Sequence, residues 1–142
     1  MEAEIELWCN KILAKLRKKS RLQPSTHCLL WTGCLKKTKG RGGDYGRMNV
    51  LVPGCHSRTR MSVHRLAYIV HTKNLTISQQ YDVSHLCHNT LCVNFDHLSL
   101  EPHSVNNARK TCRKQKACTG HGPHPECMGF TQSARAKRCN VS

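Results

Sequence analysis

The chain has 142 residues, and 23 Lys and Arg against 8 Asp and Glu give it a formal net charge of +15. It carries 10 Cys and 10 His, whereas only 38% of its residues are hydrophobic and 5% aromatic. This length suits one domain, or one domain with a tail. A small domain with so few core residues usually needs disulfides or a metal. A membrane-spanning helix is excluded, because no run of about 18 apolar residues occurs.

The basic residues form two blocks on either side of a nearly neutral segment. Residues 9–65 hold fourteen Lys and Arg against one Asp, and residues 103–142 hold eight against one Glu. Between them, residues 66–102 contain a single Lys and are rich in His and Cys. A polyanion such as nucleic acid is the expected partner, since each phosphate that is neutralised releases counterions. A basic surface that only keeps the protein soluble is the alternative.

The first predicted element is an amphipathic helix over residues 3–19, within an N-terminal segment 1–22. Its apolar face comprises Ile5, Trp8, Ile12 and Leu16. Acidic residues in the first turn and basic residues in the last turns suit the helix dipole. The basic run 17–21 also fits a nuclear import signal. We therefore expect a nuclear protein, or a cytoplasmic one if its source is a prokaryote or a virus.

Three short strands are predicted next, over residues 28–32, 45–52 and 57–61, from their apolar and β-branched content. The loop between the first two is basic and could follow a phosphate backbone, with the candidate DNA contacts Lys36, Lys37, Lys39 and Arg41. Side chains alternate along a strand, so Arg47, Arg58 and Arg60 are predicted on one face, and Arg47 and Arg58 are further candidate DNA contacts. A helix over residues 62–71 follows, with Ser62 as its N-cap.

The segment from residue 82 to 112 packs four His and three Cys into 31 residues. Short strands at 83–86 and 98–100 predict a hairpin, and a helix over 103–113 follows the proline at position 102. The next segment has little periodicity, so ligands rather than apolar packing are expected to hold it in place. Residues 128–142 are predicted to form a flexible basic tail.

Two groups of Cys and His have the spacing of structural zinc sites. The first comprises Cys87, Cys92 and His97, with Cys28 as the preferred fourth ligand and Cys34 as the alternative. The second comprises Cys112, Cys118, Cys127 and His121, with His124 as the alternative to His121. Four protein ligands complete a zinc tetrahedron, which predicts structural rather than catalytic metal. Disulfides in a basic secreted protein, or free thiols, are the alternatives.

A catalytic pair is suggested by His85, two residues before Cys87, and by Asn106 on the helix that follows the hairpin. A strand–loop–strand–helix unit can place these two side chains opposite each other. A neutral imidazole can deprotonate water, and an amide oxygen with substrate phosphate oxygens can hold Mg²⁺. The alternatives are a structural histidine and a helix-capping asparagine.

The segments SHLCHNTLCVNFDHL and NNARKTC resemble the His-Cys box of the His-Me finger (ββα-metal) homing endonucleases. Upstream, HCLLWTG, DYGRMNV and VHRLAYIVH resemble the zinc-binding-loop domain of that family. The resemblance covers residues 27–127 and implies an α+β fold over residues 23–127: a zinc-stapled domain with an antiparallel sheet and a ββα-metal motif. It implies that His85 is the general base and Asn106 the magnesium ligand. The implied zinc ligands are Cys28, Cys87, Cys92 and His97 for one site, and Cys112, Cys118, His121 and Cys127 for the other.

The resemblance also implies that an arginine of the sheet stabilises the phosphate, for which Arg60 is preferred over Arg58. The expected function is that of a magnesium-dependent, zinc-stabilised, sequence-specific DNA endonuclease that leaves 5′-phosphate and 3′-hydroxyl ends. Two structural Zn²⁺ and one catalytic Mg²⁺ are its expected cofactors, and double-stranded DNA is its expected partner. A symmetric double-strand cutter also requires a homodimer. The alternative is an inactive, zinc-stabilised DNA-binding module of the same fold.

Overall fold

The computed structural model describes residues 2–36, 44–128 and 130. These residues form a small α+β domain with antiparallel sheets, which confirms the predicted fold class. In chain order the elements are α1 (Glu2–Lys18), β1 (Ser20–Gln23), β2 (Cys28–Trp31), β3 (Leu35–Lys36), β4 (Tyr45–Val50), β5 (Thr59–Ser62), α2 (Val63–Thr72), β6 (Tyr81–His85), one turn of 3₁₀ helix (Phe95–His97), β7 (Leu98–Pro102) and α3 (His103–Gln115). No helix in the described ranges is long and apolar enough to cross a membrane.

The main core lies between α1, α2 and the strands that follow them. Helix α1 buries Cys9, Ile12 and Leu16, and Ile5 and Trp8 pack against the same core, which confirms the predicted apolar face. The adjoining strand β1 was not predicted. It pairs antiparallel with β2, yet its central residues remain exposed. Its partner strand, rather than a hydrophobic pattern of its own, therefore accounts for its conformation.

The sheet β3–β4–β5 has one apolar face and one basic face. Val50 of β4 is buried in the core and Met48 packs against it. At Gly46 the backbone of β4 lies directly against the core. A Cβ at this position would lie only 2.5 Å from Cδ1 of Trp31 and 2.4 Å from Cγ2 of Val63. Only glycine fits there without displacing a core side chain.

The basic face of this sheet follows from its register. Lys36 pairs with Tyr45, and Arg60 pairs with Asn49. Cross-strand partners share a face, and so do alternate residues of one strand, which places Arg47 on the same face as these pairs. Lys36, Arg47 and Arg60 therefore lie on one face, as the alternation predicted for the two arginines. Arg58 immediately precedes β5 and is exposed.

The hairpin of β6 and β7 carries the loop that is rich in Cys and His, and α3 packs on it. Val83 and Leu98 of the hairpin join the main core. The described cysteines near the end of α3 form a second, smaller cluster with Phe130 packed against it. The order of strand, loop, strand and helix confirms the motif that was predicted for residues 82–113.

Candidate functional site

The first Cys/His cluster joins β2 to the loop of the hairpin. Its ligand atoms all lie within 4.8 Å of one another, and its members are Cys28, Cys87, Cys92 and His97. Nδ1 of His97 is 3.5 Å from the Sγ atoms of both Cys28 and Cys92. Cys28, rather than the exposed Cys34, thus stands beside the three loop residues.

These separations fit a tetrahedral zinc ion. Bonds of about 2.3 Å to sulfur and about 2.05 Å to nitrogen place the S and N ligands about 3.6 Å apart. The observed 3.5 Å agrees with this value. A hydrogen bond with Cys92 and burial raise the pKa of Cys87 far above its ordinary value, which a bound cation would counteract. The donor set therefore suits zinc.

The second cluster lies beyond α3 and is drawn from residues close together in the chain. It comprises Cys112, Cys118, His121 and Cys127, again with all ligand atoms within 4.8 Å. Nε2 of His121 is 3.5 Å from Sγ of Cys112 and 3.4 Å from Sγ of Cys127, which meets the same tetrahedral criterion. His124 is outside the cluster, and its backbone N–H donates to the carbonyl of His121. The two groups can hold two zinc ions.

A buried arginine connects the second cluster to the hairpin. Arg109 of α3 donates to both carboxylate oxygens of Glu101, at 2.5 and 2.8 Å. It also donates to Sγ of Cys127 at 3.3 Å and to the carbonyl of Pro125 at 2.7 Å. Arg109 and Glu101 are 2% and 0% exposed, so this ion pair is fully inside the protein. No pattern in the sequence distinguished these two residues from surface charges.

His85 ends β6 and has the environment of a neutral base. Its ring is hydrogen-bonded to the backbone of Cys92, while its Nε2 is buried without a partner among the described residues. Burial lowers the pKa of His85 to about 4, although the hydrogen bond to Cys92 opposes this shift. The imidazole is therefore neutral at physiological pH, and Nε2 offers a free lone pair.

Asn106 of α3 lines the same 120 Å³ cleft as His85. Its Nδ2 donates to Oδ2 of Asp82 at 2.9 Å, and its Oδ1 accepts from the hydroxyl of Ser84 at 2.9 Å. Asp82 also pairs with Nδ1 of His103 at 2.6 Å. The carboxylate can accept only from the amide nitrogen, so Asp82 fixes which end of the Asn106 amide carries the oxygen. An amide oxygen of known orientation is a suitable Mg²⁺ ligand.

Two aromatic neighbours enclose His85 on the side of the sheet. The ring of His64 lies 4.3 Å from that of His85, and the ring of Tyr45 lies 6.2 Å from it. Burial lowers the pKa of His64 well below its usual value, and the charges of His85, Arg65 and Arg47 lower it further. Arg47 thus lies near the histidine pair, two residues along β4 from Tyr45. The sequence reasoning did not single out His64.

Some of the expected DNA contacts lie on the sheet, and others lie outside the residues that the structure describes. Lys36, Arg47 and Arg60 share the basic face, and Arg58 lies exposed beside it. Arg60 lines a groove with the basic end of α1. Lys37, Lys39 and Arg41 lie outside the described residues, as does most of the expected tail.

A family model described as the zinc-binding loop region of homing endonuclease matches residues 27–140. The matched range begins beside Cys28 of the first cluster and contains both clusters, the sheet and α3. The comparisons with curated proteins and with solved structures found no match.

Proposed function

Because the chain belongs to the family of homing-endonuclease zinc-binding loop regions, we propose that it is a DNA endonuclease that hydrolyses phosphodiester bonds. The observation that carries the proposal is the unpartnered Nε2 of His85, in the same cleft as the oriented amide of Asn106. Two structural zinc ions and one catalytic Mg²⁺ are the proposed cofactors. The expected ends are a 5′-phosphate and a 3′-hydroxyl.

In the proposed reaction, His85 removes a proton from water. The backbone of Cys92 holds one ring nitrogen, so the proton is taken up by Nε2. The resulting hydroxide attacks the phosphorus, the P–O3′ bond breaks, and the 3′ oxygen leaves on the opposite side and takes a proton from solvent water to become the 3′-hydroxyl. The low pKa of His85 keeps the imidazole unprotonated before the reaction, and a positioned base of this kind contributes roughly 10²–10⁴-fold to the rate.

Asn106 is the proposed protein ligand of Mg²⁺ through Oδ1. Magnesium keeps several waters and needs few protein ligands, so one amide oxygen together with substrate phosphate oxygens is sufficient. When bound, the ion would stabilise negative charge on the phosphate and the leaving oxygen. The hydrogen bond from Asn106 to Asp82 fixes the orientation of the amide, and its Oδ1, which accepts from Ser84, has a second lone pair for the ion.

We assign the phosphate-stabilising arginine to Arg47 in place of Arg60. Arg47 lies near His64, whose ring is in contact with His85, whereas Arg60 stands farther along the sheet opposite Asn49. Lys36 and Arg60 are proposed to contact DNA from the basic face of the sheet. Arginine side chains on such a face can read guanine edges in the major groove.

Cleavage of a randomised duplex library with Mg²⁺ tests the proposal. The wild-type protein should nick its target, and His85→Ala should reduce the rate by about 10²–10⁴-fold. His56→Ala is the matched control, because His56 is exposed in the turn between β4 and β5. Tight DNA binding without nicking by any of the three proteins would refute the nuclease and support an inactive DNA-binding module.

Homodimerisation and a nuclear location are part of the same proposal. A symmetric double-strand cut requires two active sites related by a two-fold axis. Sedimentation of the protein on a cleaved target should therefore give two chains per duplex, and one chain per duplex would limit the enzyme to nicking. A fluorescent fusion should concentrate in the nucleus, and exclusion from it would contradict the location.

A further inference from the structure

A groove of about 440 Å³ lies between the C-terminal end of α1 and the sheet. The C-terminal end of α1 and the residue that follows it contribute three lysines, and the basic face of the sheet contributes two arginines; these five cations are Lys15, Lys18, Lys19, Arg47 and Arg60. The remaining lining residues are Trp31, Cys34, Met48 and Asn49. None of the lining residues is acidic.

The cations of this groove lack counterions within the described part of the chain. The ion pairs found there involve Glu6, Asp82 and Glu101, and none of these carboxylates binds a lysine or arginine of the groove. The Nε of Arg47 is buried and has no acceptor among the described residues. Since buried polar groups are normally hydrogen-bonded, this atom indicates that an acceptor is supplied from outside the protein.

Two of the lysines stand on one side of α1, and the third follows it directly. Lys15 and Lys18 are three residues apart, which makes their side chains neighbours on the helix surface, and Lys19 lines the same groove from the turn after the helix. All three are exposed. Their position in the last turn also suits the helix dipole, but the dipole does not account for two arginines that face the lysines from another element. The cations converge from a helix and a sheet that are far apart in sequence.

We propose that this groove binds a row of phosphates of duplex DNA, beside the segment that contacts the basic face of the sheet. This inference rests on the proposed function, because it takes DNA as the partner. Arg47 and Arg60 belong to both surfaces, so a duplex lying on the sheet extends directly into the groove. Apart from Arg47, which is assigned to the scissile phosphate, four cations remain, and their charge exceeds that of a single phosphate, which favours a polynucleotide backbone over a small anion. Helix α1 then has a second role besides packing in the core.

Salt-dependent binding tests the proposal without relying on cleavage. The zinc-loaded protein is titrated onto a fluorescent mixed-sequence duplex in buffer without Mg²⁺, and the affinity is measured at several salt concentrations. The test variant combines Lys15→Gln, Lys18→Gln and Lys19→Gln, which remove the charge and keep a polar side chain of similar helix propensity. The control variant combines Lys11→Gln, Lys114→Gln and Lys116→Gln, three exposed lysines outside the groove, and has the same net charge.

Each phosphate contact contributes about 0.9 to the slope of log affinity against log salt. The test variant should therefore lose about 1.8–2.7 from the slope, and roughly 60- to 500-fold in affinity near 0.1 M salt. The control should lose much less. Equal losses in the two variants would overturn the groove while leaving DNA binding intact. A loss of affinity that appears only with single-stranded RNA would also overturn it. If the wild-type protein does not bind duplex DNA at all, the proposed function is refuted together with the groove.

Discussion

The buried pair of Arg109 and Glu101 provides the strongest prediction about stability. We expect Arg109→Met to destabilise the protein severely, because it leaves the Glu101 carboxylate fully buried without its cation. Burial by itself raises the pKa of Glu101, and the hydrogen bonds from Arg109 and Ser99 help to bring it below its usual value. Removing the arginine reverses the direction of that shift.

The expected loss follows from the contacts of Arg109. Breaking a buried ion pair by removing one partner costs about 3–5 kcal/mol. The lost hydrogen bonds to Cys127 and Pro125 add to this cost. Small domains have roughly 5–15 kcal/mol of stability, so a loss of about 4 kcal/mol removes a large share of it. Glu101→Leu alone should have a similar effect, whereas the double variant should lose clearly less than the sum.

Urea unfolding at a fixed excess of zinc, followed by the fluorescence of the buried Trp31, measures these differences. With a slope of about 2 kcal/mol per molar, a 4 kcal/mol loss moves the midpoint by roughly 2 M. The pH dependence has a definite sign. In Arg109→Met we expect the pKa of Glu101 in the folded protein to lie above its value in the unfolded chain. The buried carboxyl therefore takes up a proton as the pH falls. The loss of stability relative to wild type should then become smaller.

Two results would refute this reasoning. If the losses of the two single variants simply add in the double variant, the pair is not coupled and the ion pair does not account for the cost. If the deficit of Arg109→Met stays constant between pH 8 and pH 6, an unpaired Glu101 carboxylate is not its cause. Glu101→Gln controls for shape, since it keeps the size of the side chain and removes only the charge.

Three further predictions concern the metals and the sheet. Metal analysis of the native protein should give about two zinc ions per chain, and Cys118→Ala should lose one of them; a disulfide-linked chain without zinc would contradict this. Asp82→Ala should free the amide of Asn106 and weaken the binding of Mn²⁺, used as a calorimetric probe, by roughly 10–100-fold; unchanged binding would show that Asp82 does not orient the ligand. Gly46→Ala should lower the stability by about 1–3 kcal/mol in thermal unfolding, because its Cβ meets Trp31 and Val63. Gly54→Ala is the control: its Cβ has open space around it, so it tests only the effect of a positive φ.

The sequence predicted the parts of the structure that local pattern controls. Helix α1 and the hairpin with its following helix were found from periodicity and turn signals, and the cysteines of the second cluster lie close together in the chain. In the first cluster, Cys28 is 59 residues from Cys87; the sequence preferred it to Cys34 but left both open, and the contact of β2 with the loop explains why Cys28 is the member. Contacts of this kind depend on tertiary packing, which spacing alone does not determine.

The environment of His85 and the internal ion pair illustrate what could not be predicted. His64 belongs to an amphipathic helix and has no sequence feature that distinguishes it from a surface histidine, yet it is buried against His85. Arg109 and Glu101 are eight residues apart in the chain, and both are fully buried where Arg109 also contacts Cys127 of the second cluster. Arg47 was expected only to contact DNA, because the position of the active site relative to β4 could not be deduced without the register.

The first zinc cluster and the proposed base are connected through a single residue. Cys92 contributes its Sγ to the cluster and its backbone to the hydrogen bond that orients His85. The same loop is joined to β2 by the backbone hydrogen bonds from Trp31 to Leu91 and from Val93 to Leu29. A zinc ion that closes the cluster would therefore fix the loop and the tautomer of His85 together, without touching the substrate. Because Cys92 belongs to both the cluster and the hydrogen bond to His85, we expect removal of zinc to disturb the orientation of the proposed base even though zinc is not proposed to contact the substrate.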